Sequence, residues 1–189
     1  MQALSILTIL DMVGKLGQRN VVSFHQIQAL EWSVMARARF TSLASLVEAP
    51  SFLLPWRIIK AVGMRGTVLL GLLAALLEQL GSYGATSMWR LVALTGLGSL
   101  QTCSTGAVLG LLTTEGARVG MGQGELQAAI GNLRAVSTTL ASLVWGWLYE
   151  LGRRRQDPAM FYLAGAGLAV AALGVATGWV PEERSVART

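Results

Sequence analysis

The sequence predicts an all-α, polytopic membrane bundle of about six transmembrane helices. Three observations carry this expectation. The chain is 53% hydrophobic and 13% charged, with a mean hydropathy of +0.53, whereas ordinary soluble domains carry about 25% charged residues. Aromatic residues make up 7% and glycines number 22, so the apolar excess is aliphatic and small, as suits contact with lipid. Finally, residues 91–114 and 159–181 form stretches of 24 and 23 residues with no charge. Each meets the roughly 17–25 apolar residues that a helix needs to cross a bilayer.

The same composition excludes other classes. A disordered or collagen-like chain is too polar or too regular to match it. One cysteine forms no internal disulfide. The net charge of +5 and pI near 10.1 point, in so apolar a chain, to loop arginines at a membrane surface rather than to nucleic acid.

Taken in order, the first predicted span is 3–23. Its first half is apolar, and Asp11, Lys15 and Arg19 then recur every fourth residue. On a helix these three share one face, and Asp11 and Lys15 are close enough to pair. A single polar stripe on an apolar helix fits one that lines a protein interior or cavity. The second span, 34–56, carries Arg37, Arg39, Glu48, Pro50 and Pro55. The third, 61–84, is apolar from Gly66 to Leu77, with Glu78 near its end and expected at the interface. The fourth is 91–114. The fifth, 126–149, is apolar except for Arg134, and the sixth is 159–181.

Short connections suit an antiparallel bundle. Residues 81–88 read as a turn, 115–125 as a Gly-rich polar loop and 152–158 as a sharp charged loop, with Pro158 suited to a first helical turn. Residues 1–181 thus form one transmembrane domain, and 182–189 a charged tail. Asp11 interrupts the first apolar run, and no basic segment precedes it, so it does not read as a signal peptide. Trp32, Trp56, Trp89 and Trp179 fall near predicted helix ends, as an interfacial aromatic belt requires. Basic residues divide six against six between the two sides, so loop charge sets no orientation.

Two stretches go beyond composition. Residues 53–72 read LLPWRIIKAVGMRGTVLLGL: a helix end, a basic loop, Gly63-Met64-Arg65-Gly66 and a new apolar helix. Residues 122–150 begin with Gly122-Gln123-Gly124-Glu125-Leu126-Gln127 and continue as a helix rich in small residues. In this order and spacing the chain resembles the C-terminal six-helix half of a major facilitator superfamily transporter, most like the tetracycline/proton antiporter group, over roughly residues 4–180. The resemblance makes Arg57, Lys60, Gly63, Arg65 and Gly71 a cytoplasmic loop motif, and Gln123, Gly124, Glu125 and Gln127 the loop before the fifth helix. It places both loops and the tail on the cytoplasmic side, with Arg153, Arg154 and Arg155 outside. Proton coupling is implied by the resemblance alone. Three departures stand out: Pro55-Trp56-Arg57 brings no carboxylate, Gly66 replaces a second arginine, and Ala141-Ser142 stands where a Gly-Pro pair is usual.

An ionisable residue within a membrane span is a functional candidate by default. Asp11, Lys15, Arg19, Glu48 and Arg134 are therefore the candidates for a substrate or proton pathway. Asp11, about ten residues into the first helix, reads either as a carboxylate that binds substrate or a proton, or as half of a satisfied ion pair. Arg134 reads as an anion contact or as a side chain snorkelling to the membrane face. Glu48 lies two residues before Pro50, whose ring frees a carbonyl; it reads as a proton site or as a partner of Arg19 or Arg134. Gly106/Gly110 and Gly174/Gly178 share helix faces and are expected to pack inside the bundle.

No strand precedes the glycines at 120–124 and no Gly-Lys-Ser/Thr follows, so they do not read as a phosphate loop. His25 and Cys103 each stand alone, so no metal site, cofactor or enzymatic constellation is expected. The expected function is a secondary-active transporter, or its half, moving a small solute by alternating access. The alternative is a truncated, non-transporting partner of a full transporter. The expected partners are lipid, a small solute, and an N-terminal half or second chain; nucleic acid is not among them. The expected location is an integral, multi-pass position in a membrane.

Overall fold

A computed structural model describes residues 2–179; the side chains at 2, 3, 16, 17, 19, 20 and 179 are outside it, so Arg19 and Trp179 are placed by their backbones alone. Pro181 and the tail 182–189 also lie outside the described residues. The described chain is all-helical, with α1 (Gln2–Gln28), α2 (Val34–Glu48), α3 (Pro55–Tyr83), α4 (Met88–Gly98), α5 (Leu100–Arg118), α6 (Gln123–Arg154) and α7 (Met160–Trp179). A single 3-10 turn, Ala49–Phe52, lies between α2 and α3.

These helices follow the six apolar segments with four corrections. The segment 34–56 is not one helix. Ser33 caps α2, its hydroxyl accepting from Ala36 N at 3.2 Å, and α2 runs 15 residues before Pro50 forces the 3-10 turn. Fifteen residues rise only about 22 Å, short of the roughly 30 Å hydrocarbon core.

The basic loop expected around 57–65 is helical instead. Pro55 opens α3, where a missing N–H costs nothing. The helix then kinks at Gly63, whose φ of 73° and ψ of 171° are open essentially to glycine alone.

The uncharged stretch 91–114 breaks at Ser99 into α4 and α5. Ser99 Oγ donates to Gly96 O at 2.7 Å, while Gly96 and Gly98 are weak helix formers. The loop expected at 115–125 shrinks to 119–122, closed by Gly120 at φ 81°. Gln123, Gly124, Glu125 and Gln127 thus lie in the first turns of α6 rather than in a loop.

Three clusters hold the helices together. Leu4 and Leu7 of α1, Val68 and Leu72 of α3, Val108 of α5 and Ala172 of α7 form one. Trp145, Tyr149, Phe161 and Tyr162 pack with Val21 in a second, where Trp145 Nε1 donates to Val13 O at 2.8 Å. Phe40, Ala44, Leu91 and Val92 tie α2 to α4. At one end, Tyr83 Oη donates to Asp157 Oδ2 at 2.8 Å and links α3 to the α6–α7 connection.

With α4 and α5 taken as one fourth segment, the principal pairings repeat when the first three segments are exchanged with the last three. The third packs on the fourth as the sixth packs on the first; the first packs on the fifth as the fourth packs on the second; the third and sixth pack on each other.

The expected small-residue seams do not form. Gly106, Gly174 and Gly178 face open space, and Gly110 touches only Met64 at van der Waals distance. Close approach occurs at Gly71 instead, where an added Cβ would lie 2.4 Å from Ser104 Cβ and 2.9 Å from Leu100 O.

Among the described residues two helices, Pro55–Tyr83 and Met160–Gly178, are long and apolar enough to cross a membrane. In their most apolar windows 33% and 39% of the residues are buried.

Candidate functional site

The polar stripe of α1 faces α5. Asp11 is buried at 3% exposure, and its two oxygens are held by α5: Gln101 Nε2 donates to Oδ1 at 2.9 Å and Thr105 Oγ1 to Oδ2 at 2.6 Å. One turn along, Lys15 Nζ donates to Thr102 Oγ1 at 2.8 Å. These polar side chains of α5 come from within the uncharged stretch 91–114, so a segment that reads as plain lipid-facing helix supplies the partners of the charged stripe.

Lys15 opens onto a cavity of about 340 Å³ between α1, α2, α3, α4 and α5. Glu48, at the end of α2, and Glu78 of α3 line it, together with the amides of Gln18, Gln26 and Gln101. Thr41, Ser45, Thr95, Ser99 and Thr102 add hydroxyls, and Phe40 and Val22 add apolar wall. Glu78, five residues from the end of α3, is thus a wall of the cavity. Its carboxylate lies across Gly98, where an added Cβ would fall 1.7 Å from Oε2. The Gly96/Gly98 pair was the signal in the sequence, because glycine is the residue that allows a neighbour to approach a helix backbone this closely.

The structure divides the other candidates. Arg134 is exposed on α6 and lines a separate groove of about 390 Å³ with Gln127, Gly131, Gly110 and Thr113. Arg57 and Lys60 are exposed on the first turns of α3. Arg65 Nη2 donates to Thr177 O at 3.0 Å, so this motif residue holds the last turn of α7, where cations are favoured. Gly71 lies in the α3–α5 contact, two turns beyond the Gly63 kink. His25 is buried edge-on against Phe161 and Tyr162, and Cys103 Sγ lies 3.5 Å from Ser51 O. Among the described residues no group of three or more histidine, cysteine or acidic side chains converges to hold a metal ion.

One amine, two carboxylates and a ring of amides and hydroxyls suit a small polar solute with hydrogen-bonding groups on several sides. No family model, curated protein or solved structure matches this chain.

Proposed function

We propose that this chain is a six-segment half of a major facilitator type secondary transporter, carrying a small polar solute through the Lys15–Glu48–Glu78 cavity. The observation that carries the reading is the cavity itself: charged and polar side chains from four apolar segments meet at one cavity, in a chain with two helices long and apolar enough to cross a membrane. Charged groups are costly within a membrane and cluster there around solute and ion paths. The repeated pairing of the first and last three segments supports the same reading, since halves of this transporter type are built from two three-helix repeats. In this reading all six segments lie in the membrane, with the short α2 and the broken α4–α5 beside the cavity. Non-helical turns are tolerated at membrane depth where they line a cavity.

The test is uptake by proteoliposomes containing the chain, under an imposed proton gradient, of labelled amino acids, sugars and polyamines. The expected result, with a second copy of the chain supplying the missing half, is gradient-driven uptake of one class above protein-free vesicles, abolished by Lys15→Ala. Flat uptake across the panel would remove transport by this chain alone.

A second reading, a non-transporting partner of a full transporter, is favoured by a different observation. Val136, Leu140, Leu143 and Trp147 form an exposed apolar stripe along α6, as a helix has where a second protein covers it. Stable co-purification with a larger membrane transporter, in the absence of uptake, supports that reading.

A further inference from the structure

Beside the Lys15 cavity lies a small, partly open pocket of about 20 Å³ between α1, α3, α5 and α7. Asp11, Gln79 and Gln101 are its polar lining, Leu10, Leu72 and Leu168 supply apolar wall, and Gly165 of α7 lies against Gln79. That space is of the order of one water-sized sphere.

Gln79 is 5% exposed. Its Nε2 donates to Gln18 Oε1, and its Oε1 is buried without a hydrogen-bond partner. That oxygen lies over Gly165, where an added Cβ would be 2.6 Å away. An unsatisfied buried acceptor costs free energy and asks for an occupant.

Asp11 is the second group facing the pocket. Each of its oxygens accepts one hydrogen bond, from Gln101 and from Thr105, and a carboxylate oxygen has two lone pairs. Gln101 spends its Nε2 on Asp11, which leaves its Oε1 as the remaining polar atom of that amide. The donor set is thus one carboxylate and two amide oxygens, held by three different helices. These are hard oxygen ligands of the kind that alkali and alkaline-earth cations take. Asp11 brings one negative charge to the pocket, and in the adjoining cavity Lys15 is outnumbered by Glu48 and Glu78; a divalent ion would add a larger buried charge than a monovalent one, which is expensive.

We propose that this pocket binds a single sodium-sized monovalent cation between Asp11, Gln79 and Gln101. The site is separate from the solute cavity, sharing only Gln101 with it, and it does not depend on the transport reading. The occupant joins α1 to α3 and α5, so binding stabilises the fold as any ligand specific for the native state does.

The test is thermal unfolding of the full chain in detergent micelles, with sodium chloride compared with choline chloride at equal ionic strength. The expected result is a saturable rise in Tm of about 3–6 °C with sodium. Asp11→Asn and Gln79→Leu each lose the rise, and Gly165→Ala, which crowds the Gln79 oxygen, reduces it. The same Tm in both salts overturns the proposal and leaves the pocket to water. A sodium effect that survives both Asp11→Asn and Gln79→Leu overturns it as well, by placing the ion elsewhere. The wild-type comparison decides even where a variant fails to fold, and none of these readouts depends on transport.

Discussion

Gly71 and Gly106 show how little sequence context distinguishes a packing glycine from an idle one. Both lie in apolar helices, yet Gly71 is buried against Ser104 and Leu100 while Gly106 faces open space. Gly71→Ala is expected to destabilise the chain by about 1–3 kcal/mol through overpacking. Gly106→Ala is expected to be neutral or stabilising by about 0.5–1 kcal/mol, since alanine is the better helix former. Paired thermal melts in detergent check both, and equal losses at the two positions would refute this packing. At the charged end of α6, Glu150 lies 3.0 Å from Arg153 Nη2 and 3.2 Å from Arg154 Nε. Hydrogen bonds from Arg153 and then Arg154 hold its carboxyl below the ordinary glutamate range. A carboxyl lowered on folding contributes stability that is fully present above its unfolded pKa and is lost as pH falls through its folded pKa. Because this pair is exposed, the effect is small and fades with salt. Carboxyl titration by NMR should show a depressed Glu150 midpoint that rises toward the ordinary value in Arg153→Ala.

At the scale of the element, the helices break where one residue decides. The α3 kink rests on Gly63 in a conformation closed to other residues. Gly63→Ala is expected to cost about 1–3 kcal/mol, by forcing either strain or a straightened helix. Straightening would swing Trp56, Arg57 and Lys60 away from their present positions. A change in the emission maximum of the exposed Trp56, read against a Trp56→Phe control, reports it. The Gly63-Met64-Arg65-Gly66 pattern was legible in the sequence as a boundary, but not as a kink inside a helix, because Pro55 starts helix eight residues earlier. The break at Ser99 was not legible at all. Hydropathy registers 91–114 as one uninterrupted stretch, whereas Gly96 is met there by Val47, and Gly98 by Glu78, from helices distant in sequence.

At the scale of the molecule, an apolar core is joined by an exterior that is apolar along α3 and α7, with a few polar side chains buried between the helices. Leu73, Leu77, Leu80, Leu163 and Val170 face outward, while Asp11, Gln79 and Gln101 are buried. Water would not favour such an exterior over so long a stretch, and lipid would. The chain is therefore expected to remain in the membrane pellet through alkaline carbonate and to leave it only with detergent. Release by carbonate alone would mean that α3 and α7 are covered by protein rather than lipid.

Periodicity and composition by themselves determined that the chain is helical, where its apolar segments lie, and that α1 presents Asp11 and Lys15 on one face, because each of these depends on neighbours within a few residues. The tertiary structure alone decided what that face meets. Gln101, Thr102 and Thr105 lie about 90 residues further along, and no local pattern records that they turn toward Asp11 and Lys15. It alone put Glu78, near the end of α3, in the cavity wall, placed Arg134 in a different groove, and set Gln79 beside Asp11 in the small pocket. Each of these is a contact between segments, set by how the helices cross and by which glycines let them close.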